Sequence, residues 1–230
     1  MKINILTLYP DMFPGTLGYS LAGKAISEGK VELNVVNIRD FATDNYKSVD
    51  DTPFGGGAGM VMKPDVLDAA LTATYKTGPL YYLSPRGSVF NQETAKSWAT
   101  KTDEMTFLCG RFEGIDERIL EKWQIREISI GDFVLSGGEP ALITMLDAMI
   151  RLIPSVMGNA ESGSEESFTD YLLEYPQYTK PQVWQGRSVP EVLLSGHHAN
   201  IRQWRLEQSK TLTKTRRPDL WTNYLAQKKD

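Results

Sequence analysis

The sequence contains little cysteine and histidine. Its 230 residues include one cysteine, Cys109, and two adjacent histidines, His197 and His198. A single cysteine excludes an intrachain disulfide and is typical of a protein in a reducing compartment. The two histidines have no partners at the spacing of metal ligands, so the residue pattern predicts no metal site.

Long apolar runs are also absent. No apolar stretch approaches the roughly 20 residues that a membrane-spanning helix requires. The N-terminal stretch MKINILTLYPDMF has one lysine, and its apolar run is too short for a signal peptide. We therefore expect a cytoplasmic protein with no membrane segment.

Charge is distributed unevenly along the chain, whose net charge is −4. From Lys180 to the end there are ten Lys or Arg against four Asp or Glu, which gives +6 and leaves −10 for the preceding residues. This asymmetry hints at a basic binding face in the C-terminal part. A solvated helical face with spare lysines explains the charge equally well.

Apolar runs of four to eight residues alternate with segments of helical periodicity through the first two thirds of the chain. This alternation predicts an α/β fold with a mostly parallel sheet. The predicted strands are Lys2–Leu8, Val31–Ile38, Leu80–Leu83, Met105–Cys109 and Ile125–Ile130, and the main predicted helices are Asp65–Tyr75, Glu93–Thr100, Glu113–Trp123 and Gly138–Ile153. Between them, residues 39–63 form a long, polar, glycine-rich segment that carries the acidic pair Asp50 and Asp51.

Three of the predicted strands end in tight turns, after Leu83, at Gly110 and at Gly131. Glycine at such turns lets backbone amides approach a ligand that a Cβ atom would exclude. Open α/β sheets bind ligands in crevices at the carboxyl ends of their strands. The alternative interpretation is that these are ordinary connections between strands and helices.

The composition changes near residue 158. Residues 157–170, MGNAESGSEESFTD, have the small, acidic, Ser/Gly-rich composition of a flexible linker. We therefore predict a domain of residues 1–157, a linker of residues 158–170 and a helical domain of residues 171–230. In the last domain His197–Lys210 is a basic helix in which Arg202 and Arg205 flank Trp204. These residues could contact an RNA backbone and its bases, or Trp204 could pack against a neighbouring helix.

Several separated motifs together resemble one family. They are VDDTPFGGGAGM, YLSPRG, LCGRFEGIDER, SIGDFVLSGGE, the segment Glu166–Phe168, YPQYTKP and VLLSGHHANIRQWR. In this order and spacing they are similar to the bacterial tRNA (guanine-37-N1)-methyltransferases, the TrmD family of knotted SPOUT methyltransferases. The resemblance covers nearly all of the chain.

The resemblance implies a trefoil-knotted α/β domain with a small helical C-terminal domain, and a homodimer in which the partner's linker and C-terminal domain complete each site. S-adenosylmethionine would lie between the three turns. The matching cofactor-binding positions are Tyr82, Leu83, Ser84, Pro85, Gly110, Glu113, Gly114, Ser129, Ile130, Gly131, Asp132, Phe133, Val134, Leu135, Gly137 and Gly138.

The reaction implied by the resemblance is methyl transfer to N1 of guanine 37 in tRNA. N1 must lose a proton, and negative charge builds on O6, so one carboxylate and one fixed cation are needed. Arg151 matches the arginine, Glu166 matches the base, and Asp170 is the rival carboxylate. The expected RNA-binding residues are Asp50, Ser167, Arg202 and Arg205. Magnesium assistance is an expectation of the family that no residue pattern here indicates.

Three positions depart from the family pattern. Glu166 stands where the family has aspartate, Phe112 where it typically has tyrosine, and Tyr171 where it usually has glycine. Two alternatives therefore stay open: a tRNA-binding relative without catalytic activity, and a SPOUT methyltransferase acting on another RNA position.

Overall fold

A computed structural model describes residues 1–154, 156 and 166–228, and the chain forms two compact units, Met1–Gly158 and Asn159–Asp230. The first unit is built on a five-stranded sheet in the order β2-β1-β6-β5-β7, and every neighbouring pair is parallel. The strands are β1 (Lys2–Thr7), β2 (Glu32–Asn37), β5 (Leu80–Val89), β6 (Glu104–Leu108) and β7 (Arg126–Ser129), while β3 (Asp50–Asp51) and β4 (Val61–Met62) form a separate antiparallel hairpin. The predicted parallel α/β fold is confirmed.

Helices cover both faces of the sheet. Successive side chains of a strand point to opposite faces, so Ile5 of β1 joins one apolar cluster and Leu6 joins the other. The first cluster includes residues of α1 (Ser20–Ser27), α3 (Gln92–Lys101) and α5 (Gly138–Ile150), and the second includes residues of α2 (Pro64–Thr74) and α4 (Glu117–Trp123). In α5, Leu142, Met145 and Leu146 are fully buried, and each contributes about 1.5–3 kcal/mol of hydrophobic stabilisation.

Two predicted element boundaries were wrong near the turns. Strand β5 continues past Leu83 to Val89. Its pairing with β7 shifts register after Leu83 and resumes at Ser88 and Val89. Helix α4 begins at Glu117 rather than Glu113, because Gly114 and Asp116 hydrogen-bond to Met62 of β4 instead of to a helical turn. The Asp116 side chain then accepts a hydrogen bond from Arg118 N at 3.0 Å and caps the helix.

The segment 39–63 is more ordered than its composition suggests. It begins inside a short 3₁₀ helix, Ile38–Phe41, and ends with the β3–β4 hairpin. Between these, Asp44 accepts hydrogen bonds from Tyr46 N and Ser48 N and closes a local turn. Helix α5 ends at Ile150, three residues before the predicted end, so Arg151 is its C-terminal cap residue.

The second unit is mainly helical within residues 166–228. It contains α6 (Glu191–Leu194), α7 (His198–Arg216) and α8 (Pro218–Gln227), together with a hairpin of β8 (Val183–Trp184) and β9 (Arg187–Ser188) that we did not predict. The Trp204 ring of α7 lies 6.2 Å from that of Tyr178, so Trp204 has a packing role. Among the described residues, no helix combines the length and apolarity needed to cross a membrane.

Residues 158–165 of the predicted linker lie outside the part of the chain that the structure describes. Its last five residues, 166–170, belong to the second compact unit. The role of this segment as a linker, and the trefoil knot in the first unit, stay predictions.

Candidate active site

The first unit contains a cavity at the carboxyl ends of its sheet. Because β5 lies between β6 and β7, the irregular stretch of β5 after Leu83 and the turns that follow β6 and β7 meet at one edge of the sheet. The cavity is lined by Tyr82–Pro85, Gly110–Gly114, Ile128–Gly131, Phe133–Gly138 and Ala141. It therefore brings together all the predicted cofactor residues except Asp132.

Asp132 stands apart because of a tight turn. Phe133 N donates a hydrogen bond to Gly131 O at 3.0 Å, which places Asp132 at the apex between them. Ser129 Oγ accepts from Gly131 N and lies 3.1 Å from Gly131 O, so it closes the turn from the other side. The side chains of Phe133, Val134 and Leu135 remain exposed beyond it and offer an apolar surface.

Glycine is required where the turns touch. A Cβ atom on Gly110 would lie 2.5 Å from Tyr82 Cε2, and one on Gly138 would lie 2.9 Å from Cys109 Cα. Gly138 N donates to Gly110 O at 3.0 Å and joins the second turn to the third. The absence of these side chains therefore leaves backbone amides close together around a narrow crevice.

A buried ion pair fixes the same two turns. Arg111 Nη2 lies 2.9 Å from Glu139 Oε2, and the Glu139 side chain is fully buried at the start of α5. Thr7 Oγ1 donates to Glu139 Oε1 at 2.6 Å, and Arg111 Nη1 donates to Ser136 O at 3.2 Å. The Arg111 guanidinium also lies over the Tyr9 ring, 4.4 Å from its centroid.

We did not predict a role for Arg111, Phe112 or Glu139. All three lie inside motifs quoted for the resemblance, CGRFEG and SGGE, and the charged pair directly adjoins the turn glycines. Arg111 and Phe112 line the cavity, and Phe112 has a positive φ of 60° and is half exposed. The position of each charged residue directly after a turn glycine is the sequence feature that could have indicated a role for Arg111 and Glu139.

Two buried ionisable groups, one in the cavity wall and one next to it in sequence, are kept neutral. Burial, assisted by the negative charge of Glu127, raises the pKa of Tyr82 to about 12. Burial, assisted by Glu139, raises the pKa of the Cys109 thiol well above its ordinary value. Tyr82 in the cavity wall therefore keeps its hydroxyl at neutral pH, and Cys109, which is fully buried and does not line the cavity, stays a thiol.

The β3–β4 hairpin is attached to the cavity wall. Glu113 N donates to Met60 O, and Met62 N donates to Gly114 O, both at 2.9 Å. A Cβ atom on Gly59 would lie 2.5 Å from Glu113 Cγ, so the loop backbone packs on this cavity residue. Asp50, an expected RNA-binding residue, lies half-buried in the hairpin.

The second unit contains its own cavity. Its lining includes Glu166 and Asp170 together with Arg202 and Arg205 of α7. The Arg205 guanidinium lies 4.6 Å from the centroid of the Tyr175 ring, which also lines the cavity. The structure thus brings both candidate bases together with the two expected RNA-binding arginines.

The other expected residues lie elsewhere. Ser167 follows Glu166 in sequence but does not line this second cavity. Its Oγ accepts a hydrogen bond from Glu174 N at 3.0 Å. Arg151 belongs to the first unit, half-buried at the end of α5. The proposed base and the proposed cation are therefore supplied by different units.

The backbone beside the candidate bases is unusual. Phe168, Asp170 and Tyr171 all have positive φ angles, of 77°, 49° and 60°. Left-handed backbone is unfavourable for residues with a Cβ atom, and aspartate tolerates it better than the aromatic residues do. The turn is closed by hydrogen bonds from Phe168 N to Leu172 O and from Leu172 N to Thr169 O.

The described residues do not assemble a metal site. Within residues 1–154, 156 and 166–228, no three His, Cys, Asp or Glu side chains are grouped as metal ligands. These residues therefore do not fit a resident Mg²⁺ ion, which prefers several oxygen ligands.

Comparison with known proteins agrees with this architecture. The family model described as tRNA (Guanine-1)-methyltransferase TrmD matches residues 1–223. A tRNA (guanine-N(1)-)-methyltransferase of Rhodospirillum rubrum is 55% identical over 227 residues, which cover 98% of this chain and 95% of that protein. An enzyme of the same name from Brucella ovis is 55% identical over 221 residues, covering 96% and 91%. The chain belongs to the TrmD family of tRNA (guanine-1)-methyltransferases.

Proposed function

We propose that the protein transfers a methyl group from S-adenosylmethionine to N1 of guanine 37 in tRNA. Membership of the family and the names of its relatives support methylation of tRNA at guanine N1. The observation that carries the proposal is the cavity formed by the irregular stretch of β5 after Leu83 and the turns after β6 and β7. Position 37 rests on the resemblance of the separated motifs.

The first cavity suits S-adenosylmethionine. Leu83 and the exposed side chains of Phe133, Val134 and Leu135 supply apolar surface for a flat adenine. The closely packed turns at Gly110 and Gly138 expose backbone groups that can hydrogen-bond its polar atoms. When bound, S-adenosylmethionine supplies a methyl group on a positively charged sulfonium.

The residues of the chain then have two tasks. As the bond from sulfur to methyl breaks and the bond to N1 forms, the N1 proton passes to a carboxylate, for which we propose Glu166. Arg151 donates to O6 and stabilises the negative charge that develops there. Asp170 is the alternative base because it lines the same cavity as Glu166.

The grouping of charges in the second cavity supports this assignment. Arg202 and Arg205 lie in its lining with both carboxylates, so an RNA phosphate bound by the arginines would be close to the base. We propose that Ser167 and Asp50 contribute further RNA contacts. We propose a cytoplasmic location, because the proposed substrate is tRNA.

We further propose a homodimer in which the second unit of one subunit completes the site of the other. The distribution of Arg151 and Glu166 over two units supports this arrangement. Magnesium is not assigned a residue, because the described carboxylates do not form a suitable group. Any dependence on Mg²⁺ would then reflect the tRNA or the bound substrates.

The direct test is single-turnover transfer of labelled methyl to transcripts with guanine or adenine at position 37, with and without Mg²⁺. We expect transfer to the guanine transcript alone. Equal transfer to both transcripts would mean that another RNA position is methylated. If tRNA binds without transfer, the protein is a binding module, and Glu166→Asp with Phe112→Tyr are the first reversions to test.

A mixing experiment tests the shared site. Arg151→Ala and Glu166→Gln should each lower the chemical step by about 100-fold or more, with cofactor binding nearly unchanged. If each site uses both subunits, co-refolding the two variants restores about a quarter of wild-type activity through mixed dimers with one intact site. No recovery would place both residues of a site in one subunit. Full activity of Glu166→Gln would instead transfer the role of base to Asp170, tested by Asp170→Asn.

A further inference from the structure

Phe54 is the most exposed large apolar residue in the described chain. It stands in the loop of residues 52–60 that joins β3 to β4, and its side chain is fully exposed. Other phenylalanines, such as Phe13 and Phe107, are buried in the core of the same unit. Leaving an aromatic ring in water forgoes its hydrophobic stabilisation, so a ligand or partner that covers the ring would recover it.

The loop that carries Phe54 ends beside the wall of the first cavity. Its second strand hydrogen-bonds to Gly114, and Met60 O accepts from Glu113 N, so the backbone of the cavity wall holds the end of the loop. Gly59 has a φ of 90° and packs directly on the Glu113 side chain. A substrate that reaches the cavity over this wall therefore passes the loop.

Charge indicates which part of an RNA the loop can contact. Between Asp50 and Met62 the sequence has two aspartates and no lysine or arginine. Asp51 Oδ1 accepts a hydrogen bond from Thr52 N at 2.7 Å, which keeps the carboxylate at the base of the loop. An acidic segment repels phosphate, so the loop is suited to contacting nucleobases and not the RNA backbone.

We propose that the Phe54 ring stacks on a nucleobase next to the target guanine in the anticodon loop. This inference rests on the proposed function. To expose N1, the target base must leave the stack of its neighbours, and an adjacent base then loses a stacking partner. An aromatic ring replaces that partner without regard to base identity. The glycines at positions 55–57 have no atoms within 4 Å of where a side chain would begin, so they leave room for the base.

The test is a double-mutant cycle between the protein and the RNA. Wild type, Phe54→Leu and Phe54→Tyr are compared in binding to anticodon stem-loops that are intact or abasic at position 36 or 38. S-adenosylhomocysteine is present so that no turnover occurs. Tyr46→Leu is the matched control, because Tyr46 is another highly exposed aromatic residue of the same unit but lies before the hairpin.

We expect Phe54→Leu to weaken binding of the intact stem-loop by about tenfold and Phe54→Tyr by less than about twofold. At one of the two positions, 36 or 38, removal of the base should weaken RNA binding by the wild type but hardly change RNA binding by Phe54→Leu. Tyr46→Leu should behave as wild type. Additive effects of Phe54→Leu and both abasic sites would overturn the inference.

Two further outcomes have distinct meanings. If Phe54→Leu weakens self-association in analytical ultracentrifugation and leaves RNA binding unchanged, the ring is covered by a second copy of the chain and the inference is wrong. Failure of the wild type to methylate guanine 37 would overturn the proposed function, whereas the binding cycle reports on stacking without any methyl transfer.

Discussion

The guanidinium of Arg111 and the carboxylate of Glu139 form a buried ion pair between two turns that line the cavity of the first unit. Their closest atoms, Nη2 and Oε2, are 2.9 Å apart, and the two residues are separated by 28 positions in sequence. A Cβ atom on Gly137 would lie 2.3 Å from Arg111 Nε, so the guanidinium fills the space beside this glycine. The pair therefore holds the turn after β7 against the turn after β6.

Glu139→Gln should destabilise the protein by about 3 kcal/mol, because it leaves the Arg111 charge largely buried without its counter-ion. The affinity for S-adenosylmethionine should fall as well, since Ser136 and Gly137 lose their support. Urea unfolding and isothermal titration calorimetry measure the two effects. Glu117→Gln is the control: its ion pair with Arg86 is exposed and should be worth less than about 1 kcal/mol. Equal losses in both variants would contradict the role of the buried pair.

Gly110→Ala should weaken S-adenosylmethionine binding by at least about tenfold, because overpacking displaces neighbouring groups. The added Cβ would meet the Tyr82 ring, which is itself buried in the cavity wall. Gly18→Ala is the matched control, since its Cβ would lie 3.4 Å from Pro14 Cγ, an ordinary contact. Calorimetric titration of both variants tests this prediction, and unchanged affinity in Gly110→Ala would show that the Tyr82 ring moves freely.

Tyr82 should make the protein less stable between pH 10 and pH 12. Its pKa is raised from 10.0 to about 12 in the folded state, so the unfolded state releases the proton first as the pH rises. The contribution is fully present below pH 10 and is lost as the pH passes 12, amounting to about 2–3 kcal/mol. Relative to Tyr82→Phe, the wild type should therefore lose about 2–3 kcal/mol of unfolding free energy when both are measured across this range. A constant difference would mean that the Tyr82 pKa is not raised.

Tyr171→Gly should stabilise the second unit by about 0.5–1 kcal/mol, because glycine adopts the positive φ of this position without strain. Tyr171→Val should destabilise it, since a β-branched residue is least compatible with left-handed backbone. Tyr178→Gly serves as control: Tyr178 is comparably exposed and does not have a positive φ, so glycine there should only destabilise. Thermal unfolding of the three variants tests this prediction. A loss of stability in Tyr171→Gly would show that the contacts of the Tyr171 ring stabilise the unit by more than the backbone strain destabilises it.

The sheet and the glycine turns after β6 and β7 could be predicted because they depend on local sequence, whereas the cofactor positions were predicted from the resemblance of the motifs, and all of them but Asp132 line one cavity. Apolar runs that end in glycine specify a strand followed by a tight turn, and parallel strands bring such turns to one edge. Asp132 was the exception, because the hydrogen bond from Phe133 N to Gly131 O places it at the apex of the turn. Motif spacing cannot reveal which way one residue of a turn faces.

Pairings between distant segments were decided by the tertiary structure. Arg111 and Glu139 are evident as charged residues in the sequence, but only the contact between two turns shows that they form an ion pair. The start of α4 was misplaced for the same reason, since Gly114 and Asp116 bond to β4 instead of to a helix. Long-range hydrogen bonds override local helical preference wherever they satisfy the same backbone groups.

The amino-acid sequence by itself determined the α/β architecture, the positions of the glycine turns and the family, because each follows from residue type and spacing. The tertiary structure decided which charges are buried together, which loop is attached to the cavity wall, and that Glu166 and Asp170 share a cavity with Arg202 and Arg205. These relationships depend on how elements pack across the chain, where burial strengthens charge interactions that the sequence shows only as separate residues.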